Sequence, residues 1–231
     1  MFDAKQLFDQ FLGGSTGPGN ANASSGRGLA GGALAGGLAG LLVGTKTGRK
    51  IGKNALTYGG TALLGGLAYK AWRDWQQGKQ AVGPADSLTE IPEAPADSAF
   101  VPQAKDEAMF NRALLLAMIN AAKADGHIDD LEQQRIMQHL DQAGISPADR
   151  DFVSQQLAGA LDMEPVIAAA TCTETAAELY AASLIAIDPS GAAEQGYLGM
   201  LAARLNLPAE LVGHIQANMA AAKSGRDQQV A

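Results

Sequence analysis

From about Lys105 almost to its end, the chain is a series of Ala- and Leu-rich stretches cut at short intervals by glycine or proline. The cuts fall at Gly126, Gly144 to Pro147, Pro165, Pro189 to Gly191 and Pro208. Each stretch carries apolar residues at helical spacing, and none alternates with period two over enough β-branched residues to suggest a sheet. This punctuation confines the second half of the chain to short helices joined by tight corners. It predicts an all-α fold with helices over residues 105–124, 130–143, 147–161, 164–170, 173–187, 191–206 and 208–222.

One corner reads KADGHIDDLEQQRI, Lys123 to Ile136, with acids crowded around a glycine. It has a weak twin. ADGHIDDLEQQRIMQHLDQAGIS laid over IDPSGAAEQGYLGMLAARLNLP, with one residue fewer in the second loop, pairs Asp125 with Asp188 and Glu132 with Glu194. Ile136 then meets Leu198, and Ile145 meets Leu207. Each copy is helix, acidic turn, helix, and pseudo-twofold packing through the apolar faces would bring the two turns together. Carboxylates sharing a site do not all stay ionised without a counter-charge, and a cation is the usual remedy. Oxygen ligands favour Ca²⁺, Mg²⁺ or Mn²⁺, and His127, if it joined them, would shift the preference toward Mn²⁺ or Zn²⁺. The Asp-to-Glu spacing is shorter than in an EF-hand loop. Helix capping is the competing reading. Asp129-x-x-Glu132 has the spacing of a capping box, acids in a first turn complement the helix dipole, and Gly126 suits the left-handed residue that ends a helix. Capping accounts for Asp129, Asp130 and Glu132, but less well for acids at matched places in both copies.

Charge divides the chain. Residues 1–82 hold nine Lys/Arg against three Asp/Glu, residues 83–104 four acids and no base, and residues 105–231 eight bases against seventeen acids. A basic N-terminal part joined to an acidic C-terminal part argues against nucleic-acid binding. It fits a segment near anionic lipid tied to an acidic helical domain. Four parts follow. Residues 1–27 are a short amphipathic helix, with Phe2, Leu7, Phe8, Phe11 and Leu12 on one face, and a flexible linker. Residues 28–82 are Gly-rich and apolar, 83–104 a Pro/Ala/acidic linker, and 105–231 the helical domain.

The Gly-rich part has eighteen uncharged residues between Arg27 and Lys46 and sixteen between Lys53 and Lys70. As helices these would span roughly 24–27 Å against a ~30 Å hydrocarbon layer, so one or two membrane helices are expected. Gly28, Gly32, Gly36, Gly40 and Gly44 recur every fourth residue and share one helix face, where a second backbone approaches closely. Lipid and a second copy or partner helix are the expected partners, with Tyr69, Trp72 and Trp75 as an interfacial belt. The opening MFDAKQLFDQFLGG lacks the basic and long apolar regions of a secretory signal. The single cysteine, Cys172, excludes an internal disulfide and a Cys-based zinc cage. Its neighbours ATCTET supply no base, so it reads as a small, partly buried residue. His139 and His214 take no role.

The segments AKADGHIDDLEQQRI, AAELYAASLIAID and AAEQGYLGMLAARLNLP, followed by a final amphipathic helix, resemble the TerB-like domain, named after tellurite-resistance protein B. With the Gly-rich segment and linker upstream, the whole chain resembles a domain-of-unknown-function family of bacterial inner-membrane proteins. The resemblance covers residues 105–222 well and 28–82 loosely, and A-x-A-D-G-H-I-D-x-x-E is its most specific element. It implies a seven-helix, pseudo-twofold bundle with divalent metal held by Asp125, Asp129 and Glu132 in the first turn and Asp188 and Glu194 in the second. The second turn here reads Asp-Pro-Ser-Gly where the family often has Asp-Gly, a departure from a symmetric pair of sites.

The function expected is a membrane-anchored TerB-like module of the bacterial inner membrane. It binds a divalent cation (Ca, Mg, Mn or Zn) and acts in envelope or metal stress, or docks a partner. The alternative is a metal-independent membrane scaffold self-associating through the glycine face. A metal-dependent hydrolase with a carboxylate base finds no support in the sequence, which has no HExxH, no P-loop and no nucleophile paired with a base. No enzyme is expected.

Overall fold

The computed structural model describes residues 64–81, 83, 91–101, 104–126, 128, 133–134, 136–138, 146–187 and 191–224. Among these residues every regular element is a helix. Helix α1 covers residues 64–76. It is followed by α2 (Ala104–Ala122), α3 (Pro147–Ala158), α4 (Glu164–Ala169), α5 (Thr173–Ala186), α6 (Ala192–Arg204) and α7 (Ala209–Ser224). Residues 133–134 and 136–138 are also helical and fall inside the helix expected over 130–143. The expected boundaries elsewhere hold to within a few residues.

Helix α5 is the axis. Every side chain from Thr175 to Ala186 is buried, as befits a helix that is apolar or small on all faces. Its alanines let neighbouring backbones approach closely. Helix α2 lies along it, with α4, α6 and α7 packed around. Ser183 ties α5 to α2 by donating to the Ala117 carbonyl at 3.2 Å. Gln216 of α7 donates to the Tyr180 hydroxyl at 2.9 Å. The matched residues of the two hairpins, Ile136 and Leu198, both lie in the core, so the repeat marks equivalent apolar positions.

Local chemistry ends each helix where the glycines and caps direct. Ser146 precedes Pro147 and caps α3: its hydroxyl accepts the Asp149 N–H and donates to the Asp149 carboxylate at 2.6 Å. Gly126 adopts φ +109° beyond the end of α2, as the left-handed reading required. Helix α6 ends without a glycine. Asn206 takes φ 52°, with its N–H on the Ala203 carbonyl and the Leu207 N–H on that of Ala202. That is the Schellman pattern, with asparagine in the left-handed place.

The transmembrane expectation is corrected. No helix among the described residues is long and apolar enough to cross a membrane. The end of the segment between Lys53 and Lys70 belongs to α1, whose Leu64, Leu67, Ala68 and Ala71 are buried in the same core as α2 and α5. Leu64 and Leu67, at the end of the second apolar segment, are thus core leucines. The aromatics of the expected belt, Tyr69, Trp72 and Trp75, are half-buried against that core, and Tyr69 and Trp72 stand edge-on to Phe100, with ring centroids 5.5 and 5.8 Å away. Two adjacent glycines make this docking feasible. A Cβ on Gly65 would lie 2.9 Å from the Glu178 carboxylate, and one on Gly66 would lie 2.7 Å from the Pro92 carbonyl oxygen and the Ile91 side chain. Near the end of α1, Asp74 is buried between Lys70 at 2.5 Å and Lys79 at 3.3 Å. Burial pushes its carboxyl up, and the two ammonium groups override that and hold it below the ordinary value. The amphipathic face of residues 1–12 and the register Gly28, Gly32, Gly36, Gly40 and Gly44 lie outside the described residues.

Gly66→Ala is expected to destabilise the protein by about 1–3 kcal/mol through overpacking against backbone. Gly213→Ala, in α7 with nothing near its Cβ position, is expected to stabilise it by about 0.5–1 kcal/mol. Urea unfolding of the full chain measures both, and equal effects of the two substitutions would contradict the docking of α1.

Candidate functional site

The first acidic corner is built from the inside out. At the end of α2, the Asn120 amide donates to the Asp162 carbonyl at 2.5 Å and accepts its N–H at 3.3 Å. Lys123 is buried, and its ammonium donates to the carbonyls of Gln156 and Gly159 where α3 ends, the pole of a helix that favours a cation. Burial lowers the Lys123 pKa. With Asn120 and Lys123 directed inward onto the connection between α3 and α4, Asp125 falls on the exposed side of the turn.

The second corner is different. Helix α6 starts after Gly191, and Glu194 lies in its first turn. The Glu194 carboxylate doubles back so far that a Cβ on Gly191 would sit 1.9 Å from its Oε2. It thus lies over the positive end of its own helix, where a carboxylate is stabilised without any metal. Asp129, Glu132 and Asp188, with His127, are outside the described residues. Among the described residues no three of His, Cys, Asp and Glu gather to hold a metal ion. The all-oxygen donor chemistry of the five acids suits a hard divalent cation. Cys172 is partly buried, as expected, at the start of α5, where its N–H donates to the Thr175 hydroxyl at 3.1 Å.

The interior holds polar groups that the sequence reading passed over. Glu178, at 3% exposure, is the acid at the centre of α5, under Gly65 of α1. Its Oε2 finds no hydrogen-bond partner, nor does the Nδ2 of buried Asn111 or either amide atom of buried Asn218. Burial raises the Glu178 pKa well above the ordinary carboxyl value, which favours the neutral acid over the carboxylate. Tyr197 is similarly pushed up to about 12 by burial, against a smaller opposing effect of Ser183. The signal for Glu178 was legible: a lone acid in AAELYAASLIAI, a stretch otherwise apolar or small.

A groove of about 1050 Å³ opens between residues 96–101, the first half of α2, α4 and the start of α5. Its floor includes Phe110, Ala113, Leu116 and Ala169, and Cys172 and Thr175 stand in its wall. Among the described residues Asp97, Asp106 and Asp162 line it with one cation, Arg112, whose guanidinium rests 4.4 Å above the Phe152 ring. Two apolar side chains at its edge are turned to solvent, Met109 at 68% and Val101 at 42% exposure.

The raised pKa of Glu178 fixes a pH dependence. Below the unfolded-state value both states hold the proton and the burial is harmless. As pH rises between the unfolded and the folded value, only the unfolded chain releases its proton, so stability falls by about 1.4 kcal/mol per pH unit. Glu178→Gln is expected to flatten that fall, and pH-dependent urea unfolding of both proteins measures it.

Comparison with known proteins places this architecture. An uncharacterized protein in the ampR 5′ region of Yersinia enterocolitica is 34% identical over 98 residues, which cover 42% of this chain and 70% of that protein. No solved structure matches. The family described as "Protein of unknown function (DUF533)" matches residues 28–219, which take in α1 and nearly all of the bundle. The chain belongs to the DUF533 family.

Proposed function

We propose that this chain is a TerB-like helical binding module without chemistry of its own, which takes up a divalent cation at its acidic corners and docks a protein partner. One observation supports the reading above the others. The two corner acids that the structure describes are at helix ends reachable from solvent: Asp125 is exposed beside Gly126, and Glu194 is folded over the start of α6. The acid of the interior, Glu178, is sealed instead, with its neutral form favoured. Ligands accordingly meet the module at its surface. Asp129, Glu132 and Asp188 complete the oxygen set in this proposal, with Ca²⁺, Mg²⁺, Mn²⁺ or Zn²⁺ as the ion.

Because Glu194 lies over the positive start of α6, drawing it away to a cation works against a helix-dipole contribution of about 0.3–1 kcal/mol. Calorimetry of the full chain with Ca²⁺, Mn²⁺ and Zn²⁺ tests this. At least one ion is expected to bind below millimolar, with Asp125→Asn weakening it at least tenfold. No heat from any of the three ions up to several millimolar overturns the cation half of the proposal.

A further inference from the structure

We propose that the groove between residues 96–101, α2, α4 and α5 is the docking surface for a cationic amphipathic helix of a partner protein. Three features select that occupant. The groove is at the upper limit of cavities that enclose small molecules, roughly 300–1,000 Å³. Its apolar surface also continues past its edge onto Met109 and Val101. A small ligand filling the floor leaves those two side chains wet, whereas a helix about 10–12 Å across covers floor and edge together. Methionine at the edge suits such a surface, because its unbranched thioether adapts to the side chains it meets.

Charge supplies the third feature. Among the described residues Asp97, Asp106 and Asp162 line the groove with one cation, Arg112, and residues 105–231 as a whole carry seventeen acids against eight bases. The surrounding potential is negative, so it speeds the encounter with a basic helix and repels an acidic one. Asp162 is also fixed in place: its backbone is clamped by Asn120, and its carboxylate accepts the Glu164 N–H at 3.0 Å. The acidic side of the groove is thus preorganised by the same α2 end that builds the first corner. The apolar face of the partner helix lies on the alanine floor, and its lysines reach the aspartates. This deepens the docking half of the proposed function and uses none of the corner acids.

Cys172 provides the readout, since it is the chain's single cysteine and stands in the groove wall. The rate of its alkylation by iodoacetamide is measured on the full chain with EDTA present, which removes cation binding from the outcome. Two synthetic helices are compared, each with leucine along one face, one bearing lysine on the other face and one bearing glutamate. The lysine helix is expected to slow alkylation at least tenfold at saturation, with weaker protection as salt rises. Asp97→Asn combined with Asp106→Asn, both at exposed positions, is expected to weaken that helix about tenfold while leaving alkylation without peptide unchanged. Equal protection by the glutamate helix overturns the proposal, as does no protection by either. Protection that grows with protein concentration alone, without peptide, assigns the groove to a second copy of the chain and overturns it too.

Discussion

The bundle depends on covering α5 from every direction. A fourteen-residue helix with its side chains buried from Thr175 to Ala186 is unstable in water by itself, and its neighbours are held where they are by the need to enclose it. Alanine supplies the close approach, and Ser183 and Tyr180 supply the few directional bonds, to Ala117 of α2 and from Gln216 of α7. Glu178 adds a specific demand. A carboxyl at the centre of that axis has to be kept from water by something thin enough to lie on it, and Gly65 of α1 is what lies there. Helix α1 is therefore a wall of the core rather than an element upstream of it.

Much of this was legible in the sequence and some was not, for a physical reason. The helices of the second half were readable because glycine, proline and caps mark their ends: Ser146 and Pro147 open α3, and Gly126 follows α2 in a left-handed turn. The role of α1 was not readable. An apolar stretch with paired glycines meets the requirements of a lipid-facing helix and of a core helix equally well, since close backbone approach needs a missing side chain in either setting. Tyr69 and Trp72 fit a membrane interface by composition, and only their contact with Phe100 shows them packed, half-buried, against the protein core. The single acid in α5 was visible, but nothing local announces that it sits under a glycine more than a hundred residues earlier.

The acidic corners show how one residue pattern serves two ends. Glu194 was singled out as a ligand, and the structure folds it back over Gly191 at the start of α6, where the helix dipole stabilises a carboxylate without any metal. The first corner is built with more support: Asn120 and Lys123 fasten the end of α2 to the residues around Gly159 and Asp162, which leaves Asp125 outside. That same fastening holds one side of the groove, so corner and groove share one anchored element.

Hydrogen exchange, followed by mass spectrometry on the full chain, bears most directly on whether α1 belongs to the bundle. If residues 64–76 close over α5, their amides exchange only as the bundle opens, with protection approaching that of residues 175–186. Exchange of residues 64–76 within seconds, while α5 remains protected for hours, would contradict it.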